Sequence, residues 1–139
     1  MEDLLTTLNK HCKNTLMETL GIVFTTANEG LVKATMPVDG RTVQPFGILH
    51  GGASMALAET VGSAGSMLLI DQEKFTAVGV EINGNHLASV NKGIVTATAT
   101  LLHRGDRTHV WSIAIEDEQG RMVMVGRITN MIIEKGRTK

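Results

Sequence analysis

The chain has 139 residues, with 13 Lys and Arg against 14 Asp and Glu, and a single cysteine, Cys12. That length suits one domain over residues 1–139, large enough to bury a core without covalent or metal staples. The near-neutral charge argues against nucleic acid or an acidic membrane as a partner, and a lone cysteine excludes an internal disulfide and fits a reducing, cytoplasmic setting.

Residues 3–20 place Leu4, Leu5, Leu8, Leu16, Met17 and Leu20 at helical spacing among polar residues, and their acidic, polar start is unlike a secretory signal. "GIVFTTANEGLVKATMPV" predicts two short strands around a turn at Asn28–Gly30, and "DGRTVQPFG" reads as a loop punctuated by Gly40, Pro45 and Gly47. From about Gly51 to Ile70 the Ala, Met and Leu content predicts one long buried helix. Gly62 and Gly65 lower its propensity and imply a close neighbour on that face, which a second copy of the helix would supply. Glu59 inside this apolar run disfavours membrane insertion by a few kcal/mol. Four β-rich runs follow, separated by turns at Asn91–Gly93, Gly105–Asp106 and Gln119–Gly120, and they predict a meander of four strands. Helix, two strands, long helix and four strands predict an α+β fold, one antiparallel sheet with the central helix on one face.

The chemistry centres on Glu59. A carboxylate in a segment otherwise suited to burial needs a partner or a task, as nucleophile or general base; the bland alternative is satisfaction by a nearby serine or by solvent. Ser63, at i+4 on the same helical face, serves either reading. His50-Gly51-Gly52 stands where the loop becomes the helix, and unpaired N–H groups at a helix start can form an oxyanion hole if glycine lets an oxygen approach. The glycine pair could equally serve turn geometry alone. Gln44 in the preceding loop offers an amide donor. The five histidines show no metal-ligand spacing, and no phosphate-binding glycine loop or nucleophile elbow is present. Neither a metal nor a cofactor is expected.

The stretches "ATMPVDGRTVQPFGILHGGASMALAET", "VGVEINGNHLAS" and "LLHRGDRTHVW" together resemble the hotdog-fold acyl-CoA thioesterases of the phenylacetate-degradation type. Members of that subgroup hydrolyse 4-hydroxybenzoyl-CoA, 1,4-dihydroxy-2-naphthoyl-CoA and similar aryl thioesters. The resemblance runs from about Leu20 to Ile133 and rests on a Q-P-x-G-x-x-H-G-G…E pattern. It implies a helix wrapped by an antiparallel sheet, and dimers that pair into tetramers. It further implies Glu59 as the catalytic carboxylate, the Gly51 N–H as oxyanion donor with Gln44 assisting, His50 orienting the loop or the substrate, Gly52 as a substrate contact, and Ser63 holding the water or supporting the thiol. For coenzyme A it points to Gly79, to His86, Leu87, Ala88 and Ser89, and to His103, Arg104, Gly105, Asp106, Arg107 and Thr108. Ala88 stands where close relatives often carry arginine, a contact that Arg104 and Arg107 would have to replace.

Thioester hydrolysis needs a carboxylate, an oxyanion donor and a leaving thiolate, but no metal. A hotdog dehydratase and a non-catalytic CoA or acyl-carrier binding module are the competing readings. The single Pro45 in the lead-in and the two glycines after His50 favour the thioesterase over the dehydratase, and release of free thiol separates it from the binding module. Gly51 and Glu59 stand eight residues apart, an axial separation of roughly 12 Å on one helix. One carbonyl cannot reach both, so a homodimer with shared sites is expected, Gln44 and Gly51 from one chain and Glu59 and Ser63 from its mate.

Overall fold

The N-terminal segment forms two helices instead of one in the computed structural model, which describes residues 3–136. Helix α1 spans Leu4–His11 and α2 spans Leu16–Leu20. Between them Asn14 adopts φ +60°, a left-handed conformation that asparagine tolerates but that ends a right-handed helix. Its N–H donates to Glu18 Oε2 at 2.7 Å, which fixes the corner. Asn9 then ties α1 to the first strand, donating to Phe24 O at 3.1 Å and accepting from Phe24 N at 2.9 Å.

Strands β1 (Val23–Asn28) and β2 (Leu31–Pro37) form the expected hairpin, with Gly30 at φ +80° in its turn. Helix α3 covers Gly51–Leu68. Strands β3 (Phe75–His86), β4 (Ile94–Arg104), β5 (Thr108–Glu116) and β6 (Met122–Glu134) complete one sheet of order β1-β2-β4-β5-β6-β3, antiparallel throughout.

That order corrects the predicted meander. β4, β5 and β6 do meander, but β3 pairs with β6 and forms an edge. The connection between β3 and β4 is too long and too well bonded elsewhere to be a hairpin turn. Leu87 N–H donates to Val123 O at 2.8 Å, Val90 O accepts from Leu49 N–H at 2.7 Å, and Gly93 O accepts from Val38 N–H at 2.8 Å. Each bond carries the chain farther across the molecule, until β4 meets β2.

The core lies between α3 and one face of the sheet. Leu57, Ala58 and Val61 meet Val32, Ala34, Met36, Val95, Ala97, Trp111, Ile113, Ile115 and Ile128, all buried. Gly62 and Gly65 do mark a close approach, but the neighbour is the chain's own sheet and not a second helix. A Cβ on Gly65 would stand 2.6 Å from Trp111 Cη2, and one on Gly62 would overlap Ile128 Cγ2. Small residues on α3 make room for large ones on β5 and β6, as a close-packed interior requires. The Trp111 Nε1–H finds Ser66 Oγ at 2.9 Å, so the one tryptophan is buried with its polar tip satisfied.

Candidate active site

At the start of α3 the chain turns from extended to helical at His50, with φ −69° and ψ 129°. Its Nδ1 accepts the Gly52 N–H at 2.7 Å and so caps the helix. An Nδ1 used as acceptor leaves the proton of the neutral ring on Nε2, which becomes a donor. The Gly51 N–H has no hydrogen-bond partner among the described residues. The loop that holds His50 is itself anchored: His50 N–H donates to Thr42 O at 2.8 Å, and the buried Thr42 hydroxyl donates to Pro37 O at 2.7 Å. Gln44 Oε1 accepts the Phe46 N–H inside the turn closed by Gly47 at φ +78°, so the Gln44 Nε2 donors remain for another acceptor.

Gln44, Gly51, His86, Leu87, Ala88 and Ser89 line one groove of about 400 Å³. His86 fills the space beside Gly51, where a Cβ would stand 2.9 Å from its Nε2. Glycine at 51 lets the His86 ring come this close to the start of α3.

Glu59 and Ser63 lie elsewhere. They face a separate groove of about 440 Å³ walled by Leu8, Cys12, Leu16, Met17 and Phe24. Within one chain Glu59 is exposed, which corrects the expectation of burial: α3 hides one face, and Glu59 stands on the other, among Met55, Ala56 and Ala64. Its carboxylate packs on Gly79 of β3, where any Cβ would stand 2.5 Å from Glu59 Oε1. β3 carries a bulge at this point, between Gly79 and Glu81. Cys12, in the same groove, is buried, donates its Sγ–H to Leu8 O at 3.4 Å, and has its thiol pushed up by that burial; it is a poor nucleophile.

The hairpin between β4 and β5 forms a third place. His103, Arg104, Asp106 and Arg107 are exposed at its tip, and Gly105 gives way to the His103 ring. Arg104 Nη2 is bound to Leu69 O at 2.8 Å, at the C-terminal end of α3, where a cation also meets the helix dipole favourably. Arg107 is the more available cation. His109 behind the tip is buried, and burial, followed by the charges of Arg104 and His103, holds its imidazolium below the usual range.

The structure thus brings Gln44, Gly51, His86 and Leu87–Ser89 together, joins Glu59 to Ser63 and Gly79, and keeps the hairpin apart. Two buried polar residues were not singled out in the sequence for a site at the sheet: Asn130, whose Oδ1 is unpartnered, and His109, whose Nδ1 is unpartnered among the described residues. Their signal was a polar residue at an inward position of a strand, with nothing in its neighbours to flag it.

A six-stranded antiparallel sheet packed on a long helix, with a carboxylate and helix-start donors on that helix, defines the class as a hotdog-fold hydrolase. The Thioesterase superfamily model matches residues 46–124, and the chain belongs to that family and is a thioesterase. It is 46% identical over 127 residues to the proofreading thioesterase EntH of Cronobacter sakazakii, covering 91% of each chain. It is 44% identical over 126 residues to the 1,4-dihydroxy-2-naphthoyl-CoA hydrolase of Escherichia coli K12, covering 91% of this chain and 92% of that one. A solved thioesterase from Haemophilus influenzae superposes with a TM-score of 0.93 at 43% identity, over 99% of this chain and 97% of that one.

Among the described residues no helix is long and apolar enough to cross a membrane.

Proposed function

We propose that the protein hydrolyses acyl-CoA thioesters with aryl or medium-length acyl groups. In this reading Glu59 is the catalytic carboxylate, and Gly51 N–H, Gln44 Nε2 and His50 Nε2–H bind the developing oxyanion. The observation that carries it is the Glu59 carboxylate seated on Gly79 at the mouth of an apolar groove of about 440 Å³, space suited to an acyl group. The activity in the name of the Escherichia coli relative supports coenzyme A as the carrier.

The oxyanion donors and the carboxylate occupy different grooves of one chain, so the complete site is built by two copies. β3 supplies the means. It is an edge strand with exposed Val78 and Val80, and an unpaired edge of this kind invites a second strand. On it His86 adjoins Gly51, and Gly79 adjoins Glu59. Antiparallel pairing of two β3 strands about a two-fold axis near Ile82 and Asn83 sets His86 of one copy opposite Gly79 of the other. The Gly51 donor then meets the carboxylate of the mate. Dimers of this kind would pair further into a dimer of dimers.

In such a site Glu59 either attacks the thioester carbon, giving an anhydride that water opens, or takes a proton from the attacking water. In both, the C–S bond breaks and coenzyme A leaves as thiolate, to be protonated on departure. A thiol-trapping dye used with a panel of aryl and aliphatic acyl-CoAs tests the reading. Free thiol must appear with turnover, and Glu59→Gln must lower kcat by about 10²–10⁴-fold with KM little changed. Binding without thiol release, or near wild-type turnover in Glu59→Gln, would overturn it.

A further inference from the structure

One row of the sheet, on the face covered by α3, is polar where its neighbours are apolar. His109 of β5 pairs with Asn130 of β6, and Asn130 pairs with Gly79 of β3. The adjoining row is Trp111, Ile128 and Ile82. Asn130 is completely buried. Its Nδ2 is fully employed, donating to Gly62 O at 3.1 Å and Ser66 Oγ at 2.9 Å, and these bonds fix both the amide's orientation and its hold on α3. Its Oδ1 has no hydrogen-bond partner among the described residues. A buried acceptor left without a donor is costly, so native structures retain one only with a reason.

The reason lies beside Gly79. The point where a Cβ of residue 79 would stand is 3.7 Å from Asn130 Oδ1 and 2.5 Å from Glu59 Oε1. Glycine at 79 thus lets the Glu59 carboxylate come in close on the side where Asn130 Oδ1 lies, so two oxygens border one place, both of them acceptors while Glu59 is ionised. Neither can satisfy the other. A water can satisfy both, because it has two protons to give.

We propose that Asn130 is a water-binding residue of the active site, holding the hydrolytic water between its Oδ1 and the Glu59 carboxylate. The inference rests on the proposed role of Glu59 and holds for either route. If Glu59 is the base, the water oxygen bonds to the thioester carbon, its proton passes to Glu59, and the thiolate leaves with the C–S electron pair. If Glu59 is the nucleophile, the same water opens the anhydride: its oxygen bonds to the acyl carbon, the C–O bond to Glu59 breaks, and the regenerated carboxylate takes its proton. Asn130, fixed to the backbone of α3, leaves the water one orientation, with a lone pair free for attack.

The test has a structural arm and a kinetic arm. A crystal structure of the wild-type protein at a resolution that shows ordered solvent should place a water within about 3.2 Å of both Asn130 Oδ1 and a Glu59 carboxylate oxygen. No water there, or a protein donor on Asn130 Oδ1, overturns the proposal whether or not any variant folds. Asn130→Ala should lower kcat about 10- to 100-fold with KM within threefold of wild type. Gly79→Ala pushes the Glu59 carboxylate away from Asn130 and so separates the two acceptors of that water, and it leaves the Asn130 clamp on α3 intact. If both act on one water, the double variant should be no slower than the slower single variant; multiplied effects would assign Asn130 a packing role instead. Glu59→Gln, measured alongside, separates the failures. An active Glu59→Gln removes the proposed function and this inference together, whereas an inactive Glu59→Gln with a wild-type kcat in Asn130→Ala overturns this inference alone.

Discussion

His50 shows how far a single hydrogen bond constrains the chemistry. By accepting the Gly52 N–H, its Nδ1 excludes a ring protonated at that nitrogen, so the residue caps α3 and presents an Nε2–H with one contact. His109 is governed by burial instead. Its folded form resists a proton that the unfolded chain accepts near pH 6.5, so its contribution to stability is complete above that pH and is lost as pH falls through and below it. Asp39, held at about 2 by Arg41, loses its contribution only in stronger acid. Thermal melts between pH 7.5 and 5 should therefore show a smaller drop in Tm for His109→Phe than for wild type; equal drops would mean that His109 is not the group responsible. At this scale the candidate set, Gln44, His50, Gly51, Glu59 and Ser63, could be named from residue type, spacing and family resemblance. Asn130 could not, because one amide in an alternating strand looks the same whether it faces the helix or solvent until the register is known.

The elements themselves were visible in periodicity, but their partners were not. Val95, Ala97, Ala99 and Leu101 alternate, which locates β4, yet nothing local to β3 says that it pairs with β6. That choice is made by the backbone bonds of the connection after His86, which involve residues distant in sequence. Likewise the break between α1 and α2 rests on one left-handed residue, Asn14, in an otherwise continuous apolar pattern. The β4–β5 hairpin shows what placement adds. Both arginines at its tip were candidates for coenzyme A phosphates, but Arg104 is bound to the end of α3, leaving Arg107 the freer one. Arg107→Ala should raise KM for acyl-CoA esters and leave KM unchanged for the matching pantetheine thioester, which lacks the nucleotide. An equal rise for both would remove the hairpin from nucleotide binding. Arg104→Ala should instead lower Tm, because it frees the Leu69 carbonyl that the guanidinium now covers.

For the molecule as a whole, the governing fact is that the two halves of the proposed site open on different sides of one chain. Helix length sets this: Gly51 and Glu59 belong to the same straight element, and roughly 12 Å of rise separates them. No side-chain rearrangement closes that distance, since both anchors are backbone positions on α3. In the proposed dimer, two copies related by a two-fold axis would resolve it, each contributing to both sites. A Gln44→Ala chain spoils only the donor half of a site, and a Glu59→Gln chain only the carboxylate half. When the two inactive variants are unfolded together and refolded, about half of the dimers should be mixed. In a mixed dimer both lesions fall in one site, and the other site is wild type throughout. Activity should therefore return to about a quarter of the wild-type level. If each site were built from a single chain, every site would carry one lesion and none would recover. The absence of activity in a mixture shown to contain mixed dimers would thus rule out the shared site, whatever the separate variants do to turnover.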